Sequence, residues 1–122
     1  MKLKKLDEDL TVCQVASVAE IDWTSEFFFV GKTDEEVSLV CRREDVPANT
    51  IRRQDGWRGF RIEGTLDFSL VGILSKLSGI LAARRIGIFA LSTYNTDYIL
   101  VKAEQFDRAM EALAGEGYQV TD

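Results

Sequence analysis

Residues 63–74 read Glu63-Gly-Thr-Leu-Asp-Phe-Ser-Leu-Val-Gly-Ile-Leu74, and residues 86–101 read Ile86-Gly-Ile-Phe-Ala-Leu-Ser-Thr-Tyr-Asn-Thr-Asp-Tyr-Ile-Leu-Val101. Between and around them Leu70, Ile73, Leu74, Leu77, Ile80 and Leu81 recur at three- and four-residue spacing, the period of a helix with one core face. Asp67 or Ser69 can cap its start, and Arg84 and Arg85 suit the negative end of its dipole. The spacing therefore predicts a strand ending at Gly64, a polar loop, a helix, and a strand over 86–91. A turn at Ser92–Asp97 and a returning strand over 98–101 follow.

Downstream, Phe106, Ala109, Met110 and Leu113 mark a second helix over 103–114 that stops at Gly115, and Gly117–Val120 reads as a last strand. Upstream, Trp57–Glu63 alternates as a strand does. From Trp57 the order is thus strand, helix, strand, strand, helix, strand. This is the split β-α-β arrangement of ferredoxin-like folds, an α+β class with an antiparallel sheet and helices on one face.

The first half carries the same pattern with the helices shortened. Strands are expected over 10–17, 27–30 and 37–42, with a turn at Lys32-Thr33-Asp34 and a single helical turn at 44–49. Residues 51–56 read as a polar connection. Setting Leu39-Val40 on Leu100-Val101 aligns Phe28 with Phe89, Val30 with Leu91, Asp34 with Asn95 and Glu36 with Asp97. The expected organisation is a tandem: a degenerate module at 1–56 and a complete one at 57–122, sharing the strand 57–63. Continuous apolar runs such as Phe27–Val30 and Tyr98–Val101 require cover on both sheet faces, from the other module's sheet or from a second chain.

The opening Asp67-Phe68-Ser69-Leu70, taken with Ser92-Thr93-Tyr94-Asn95-Thr96-Asp97, resembles the ACT domain family, in particular small tandem ACT proteins akin to aspartokinase regulatory regions and cytosolic arginine sensors. The resemblance covers residues 57–121, and more loosely 27–47. It implies a non-catalytic regulatory or sensor module that binds an amino acid or similar small molecule at a module or subunit interface. Two departures stand out: no catalytic domain accompanies the module, and Asp67-Phe68 replaces the Asp or Asn followed by Pro-Gly of many ACT loops.

An amino acid needs N–H donors for its carboxylate and acceptors for its ammonium. The N–H groups of Ser69, Leu70 and Val71 at the expected helix start suit the first, and Gly72 permits close approach. Asp67 or Asp97 suits the second, with Ser92, Thr93 and Asn95 orienting the ligand. Phe68 and Tyr94 are core or pocket wall, Asp67 and Ser69 are equally plain caps, and Ser92–Asp97 is equally an ordinary hairpin loop.

Composition narrows the alternatives. A chain of 122 residues carries 15 Lys and Arg against 20 Asp and Glu, a net charge of -5, and no His. The balance argues against general nucleic-acid binding, and the missing His removes the commonest general base and metal ligand. No phosphate loop, cofactor motif or metal cluster is evident, so neither an enzyme nor a cofactor is expected. No apolar run reaches a membrane span and no secretory signal opens the chain, which predicts a cytoplasmic protein. Cys13 and Cys41 are expected as buried free thiols. Arg42, Arg43, Arg52, Arg53, Arg58 and Arg61 form a local basic cluster, either a solvated face with acidic neighbours or a surface that docks a partner protein. The second possibility supplies the alternative function, a ligand-free interaction module.

Overall fold

In the computed structural model, which describes residues 1–64 and 71–122, the elements run β1 (Lys2–Lys5), β2 (Leu10–Val15), β3 (Phe28–Lys32), β4 (Val37–Arg42), β5 (Thr50–Ile62), α1 (Ile73–Ala83), β6 (Phe89–Ser92), β7 (Asp97–Lys102), α2 (Phe106–Gly115) and β8 (Gln119–Thr121). Short 3-10 turns occupy Val18–Glu20, Arg43–Asp45 and Ala103–Gln105. The architecture is α+β. The chain divides into one unit of residues 8–57 and another of residues 1–7 and 58–122, so β5 serves both.

In the second unit the strand order is β6-β7-β5-β1-β8. A ferredoxin-like unit would set β8 directly beside β5; here β1 is inserted between them. It pairs antiparallel with β5, Leu3 opposite Ile62, and parallel with β8, Leu3 beside Val120. The sheet is therefore not wholly antiparallel, and the inserted strand is one that the sequence reading leaves unassigned. Both helices cover the same face: Leu77 and Leu81 of α1 and Phe106, Ala109, Met110 and Leu113 of α2 share a core with Leu3, Phe60, Ile62, Ile99 and Val101. Leu100, between Ile99 and Val101, points the other way as strand alternation requires, and it is fully buried over Gly59.

In the unit of residues 8–57 the order is β3-β4-β2-β5. Cys13, Val15, Ile21, Leu39 and Cys41 form its core. The two cysteines are buried free thiols, and burial pushes both up, Cys41 to about 12, so both stay neutral. Residues 51–56, expected as a polar connection, are strand instead: Val12 pairs with Gln54, Cys13 with Arg53 and Gln14 with Arg52. Their exposed polar side chains hide the strand from any apolar alternation. The register shifts between Leu10, opposite Trp57, and Val12, opposite Gln54. Gly56 sits in that bulge at φ +83°, a backbone conformation that suits glycine.

The two β-hairpins match locally, at a spacing different from the alignment above. Lys32 pairs with Val37, and Ser92 with Asp97. The Thr33 N–H donates to the Glu36 carbonyl at 2.9 Å, and the Thr93 N–H to the Thr96 carbonyl at 2.9 Å. The matching turn positions are thus sixty apart, Thr33 with Thr93, one fewer than the alignment on Leu39-Val40 gives. The alignment slipped because every residue of Leu39-Val40-Cys41 and Ile99-Leu100-Val101 is buried, and an apolar run carries no register signal of its own.

Candidate functional site

Of the residues singled out above, Asp67, Phe68, Ser69 and Leu70 lie outside the described residues. Val71 is 89 % exposed, and the helix begins two residues beyond it. Gly72 is the N-cap, at φ +79° with no side-chain capping bond. Val71 is accordingly outside the first helical turn, and the Lys76 N–H is the one that reaches back to the Gly72 carbonyl, at 2.9 Å. The donors at this helix start are the N–H groups of Ile73, Leu74 and Ser75, which precede the first intrahelical bond.

The Ser92–Asp97 turn is held by its own side chains. The Ser92 hydroxyl donates to Asp97 Oδ1 at 2.6 Å and the Thr93 hydroxyl to the Thr96 carbonyl at 3.1 Å. Thr96, buried in the turn, donates its hydroxyl to the Ile62 carbonyl at 2.7 Å. That bond fixes the turn beside the end of β5, where the chain leaves towards α1. Tyr94 is 78 % exposed, so it forms no part of the core. Asn95 is exposed and Asp97 half-buried.

A cavity of about 250 Å³ opens at the start of α1, lined by Met1, Val71, Gly72, Ile73, Lys76, Glu116, Gly117 and Tyr118. It takes in two of the expected residues, Val71 and Gly72, and none of the Ser92–Asp97 turn. Its other wall comes from the end of α2. The helices are antiparallel: Arg108, in the first turn of α2, donates to the Arg84 carbonyl at the end of α1 at 3.3 Å. The positive end of one helix and the negative end of the other therefore meet at this cavity. Lys76 lies one turn into α1, on the same face as Gly72, with its ammonium 6.0 Å from the centre of the Tyr118 ring. Burial pushes the Tyr118 phenol above its ordinary value, so it stays neutral. Lys76, Glu116 and Tyr118 line this cavity and are not among the residues singled out from the sequence. The available signal was the four-residue step from Gly72 to Lys76.

The arginine cluster is largely occupied. Arg42 pairs with Asp45 at 3.0 Å, Arg43 and Arg53 with Asp55 at 3.9 and 2.8 Å, and Arg61 with Glu63 at 3.0 Å. Arg58 donates to the Leu6 carbonyl at 2.9 Å and stacks 4.3 Å over the Phe106 ring. These contacts fit a solvated, internally paired surface. Among the described residues no group of three or more His, Cys, Asp or Glu is placed to hold a metal ion, and no helix is long and apolar enough to cross a membrane.

Residues 52–115 match the model of the ACT domain. No curated protein matches the chain. Among solved structures, an Agobacterium tumefaciens protein is 29% identical with a TM-score of 0.85, covering 98% of this chain and 90% of its own. A Vibrio cholerae protein of unknown function, described as a possible transport protein, is 18% identical with a TM-score of 0.73, over 92% of this chain and 86% of its own. Clostridium acetobutylicum aspartate kinase, described as an allosteric enzyme, has the same fold at 13% identity and a TM-score of 0.65. That match spans 92% of this chain and 32% of the kinase.

Proposed function

Because the chain belongs to the ACT domain family, we propose that it is a non-catalytic regulatory module that senses an amino acid or a similar small molecule. The observation that carries this reading is the start of α1, where the left-handed cap residue Gly72 brings no side chain of its own to the backbone donors, beside a cavity of about 250 Å³. A carboxylate is the natural occupant of such donors. In this reading residues of Asp67–Gly72 and of the turn Ser92–Asp97, which Thr96 ties to the end of β5, both contribute to the ligand site. In this reading the protein is cytoplasmic and dimeric. Residues 1–56 are a shortened first copy of the module at 57–122, and the ligand's effect passes to an enzyme or regulator in trans.

The test is a thermal-shift screen of the intact chain against the twenty amino acids. A ligand present at about a hundred times its Kd stabilises the native state by about 2.7 kcal/mol, a shift of several degrees in Tm. One chemical class of amino acid is expected to raise Tm saturably, and Asp97→Ala to remove that rise without unfolding the protein. Absence of a shift with every amino acid, from protein that melts cooperatively, overturns the reading.

A further inference from the structure

The outermost strand of the unit of residues 8–57 is β3, and among the described residues it pairs with β4 alone. That pairing runs without a bulge from Phe28, opposite Cys41, to Lys32, opposite Val37. Such an edge is a template for another strand unless proline, charge or a bulge blunts it, and Phe28-Phe-Val-Gly-Lys32 has a single charge, at its end. The hydrogen bonds of the hairpin decide which groups face outwards. The Thr33 N–H bond to the Glu36 carbonyl, at 2.9 Å, closes the turn in the same register. Bonded and non-bonded pairs alternate from there, so Gly31 and Phe29 exchange their bonds with β4, while Phe28, Val30 and Lys32 turn their N–H and C=O groups to the open edge. Glu26, in the bend that leads into β3, and Lys32 are both exposed. Neither forms an ion pair among the described residues.

We propose that β3 pairs antiparallel with β3 of a second copy of this chain, in the register centred on Phe29. Two strands that both present their even-numbered residues can meet about Phe28, Phe29 or Val30. Centred on Phe28, the pairing sets Glu26 against Val30; centred on Val30, it sets Glu26 against Asp34, a like charge. Centred on Phe29, it sets Glu26 opposite Lys32 of the second copy, and the twofold axis repeats that pair at the other end of the seam. The same register brings Phe28 against Val30 of the second copy, an aromatic and β-branched pair of the favourable kind, joined by the outward N–H and C=O groups of both. Phe28 and Val30 are half-buried against the core of Cys13, Val15, Leu39 and Cys41, so the seam continues that core. A symmetric contact of this kind uses both edges and closes at two copies. β6, at the edge of the other unit, lies in an uncharged run from Ile86 to Thr93 and specifies no such register. The inference rests on the dimer of the reading above and does not need its ligand.

Analytical ultracentrifugation of the intact chain across the micromolar range tests the seam, with an expected limiting mass of twice 13.7 kDa. Lys32→Glu makes both facing pairs Glu with Glu, and Glu26→Lys makes both Lys with Lys. Each variant alone is expected to self-associate at least tenfold more weakly than the parent, with its circular dichroism unchanged because both side chains are exposed. Mixed one to one, the two variants restore opposite charges at both ends of the seam and are expected to associate within threefold of the parent affinity. A parent chain that stays monomeric overturns the inference and the dimer of the reading above, while the amino-acid screen decides the sensor separately. A dimer indifferent to both substitutions places the contact elsewhere on the molecule. Variants that weaken the dimer singly without rescue on mixing overturn the register, since any other pairing of the edge leaves Glu26 and Lys32 apart.

Discussion

Gly59 is where the sheet of the second unit is least forgiving. A Cβ built there would lie 2.5 Å from Leu100 Cδ2, 3.2 Å from the Ile99 carbonyl oxygen and 3.6 Å from Leu6 Cδ1. The glycine is what lets Leu100 turn away from the helices and still be fully buried. Gly59→Ala is expected to destabilise the protein by about 1–3 kcal/mol through overpacking, read as a lower midpoint in urea. Leu100→Ala removes the clashing carbons and leaves a cavity of its own. The double variant should accordingly lose less than the two singles together, by about 0.5–3 kcal/mol. Strict additivity would show that Leu100 is not what Gly59 accommodates. Nothing in Trp57-Arg58-Gly59-Phe60 announces this contact, because the partner lies about forty residues away in sequence. Gly72 reads as a place for close approach beyond a cap at Asp67 or Ser69, whereas the structure puts it at the cap of a helix that starts at Ile73.

Elements were legible where one face is buried and obscure where neither is. α2 and the hairpin strands β4 and β7 declare themselves by apolar residues at the right period, within three residues at every end. The first half of β5 does not, since Arg52, Arg53, Gln54 and Asp55 read as solvent-facing whether strand or loop. What makes it a strand is pairing with β2, and polar contacts secure the bulge beside Gly56. The Thr11 hydroxyl, on a fully buried residue, donates to Asp55 Oδ1 at 2.7 Å, and Arg53 donates to the same oxygen at 2.8 Å. The Thr11 hydrogen bond, and after it that of Arg53, hold the Asp55 carboxyl below its ordinary range. A carboxylate whose folded pKa is depressed stabilises the fold at any pH above its unfolded value, about 3.9. That contribution fades as pH falls below this value and is gone once pH passes the folded one. Asp55→Asn should therefore lower Tm at pH 7, with the gap to the parent protein narrowing below about pH 4. A gap that stays constant down to pH 2 would show that the charge of Asp55 contributes nothing to the bulge.

At the scale of the whole molecule, the sequence reveals a ferredoxin-like order from Trp57 onward but not the strand that completes it. Met1-Lys-Leu-Lys-Lys-Leu is too short and too charged for periodicity to register, yet Leu3 is fully buried among Phe60, Ile62, Ile99 and Leu113. Residues 57–122 alone would leave β8 and the last part of β5 without the strand between them, and would open a Leu-sized hole in the core. A buried leucine reduced to alanine costs about 2–5 kcal/mol, and losing the whole strand costs more, comparable to the entire stability of a small domain. The fragment 57–122 is therefore expected to show no cooperative thermal transition. The remedy follows from the register. Lys5 faces Phe60, and the Leu6 N–H donates to the Gly59 carbonyl at 2.9 Å, so Asp7 and Arg58 stand opposite each other at the open end of a hairpin. Replacing residues 8–57 by Asn-Gly, which favours the tight turn such strands require, should give a chain of residues 1–7, Asn-Gly and 58–122 that melts cooperatively, with the far-ultraviolet signature of its two helices. Cooperative melting of 57–122 without β1 would make the inserted strand an accessory. Failure of the shortened chain, with its β1–β5 hairpin intact, would mean that residues 8–57 are indispensable to the fold of the rest.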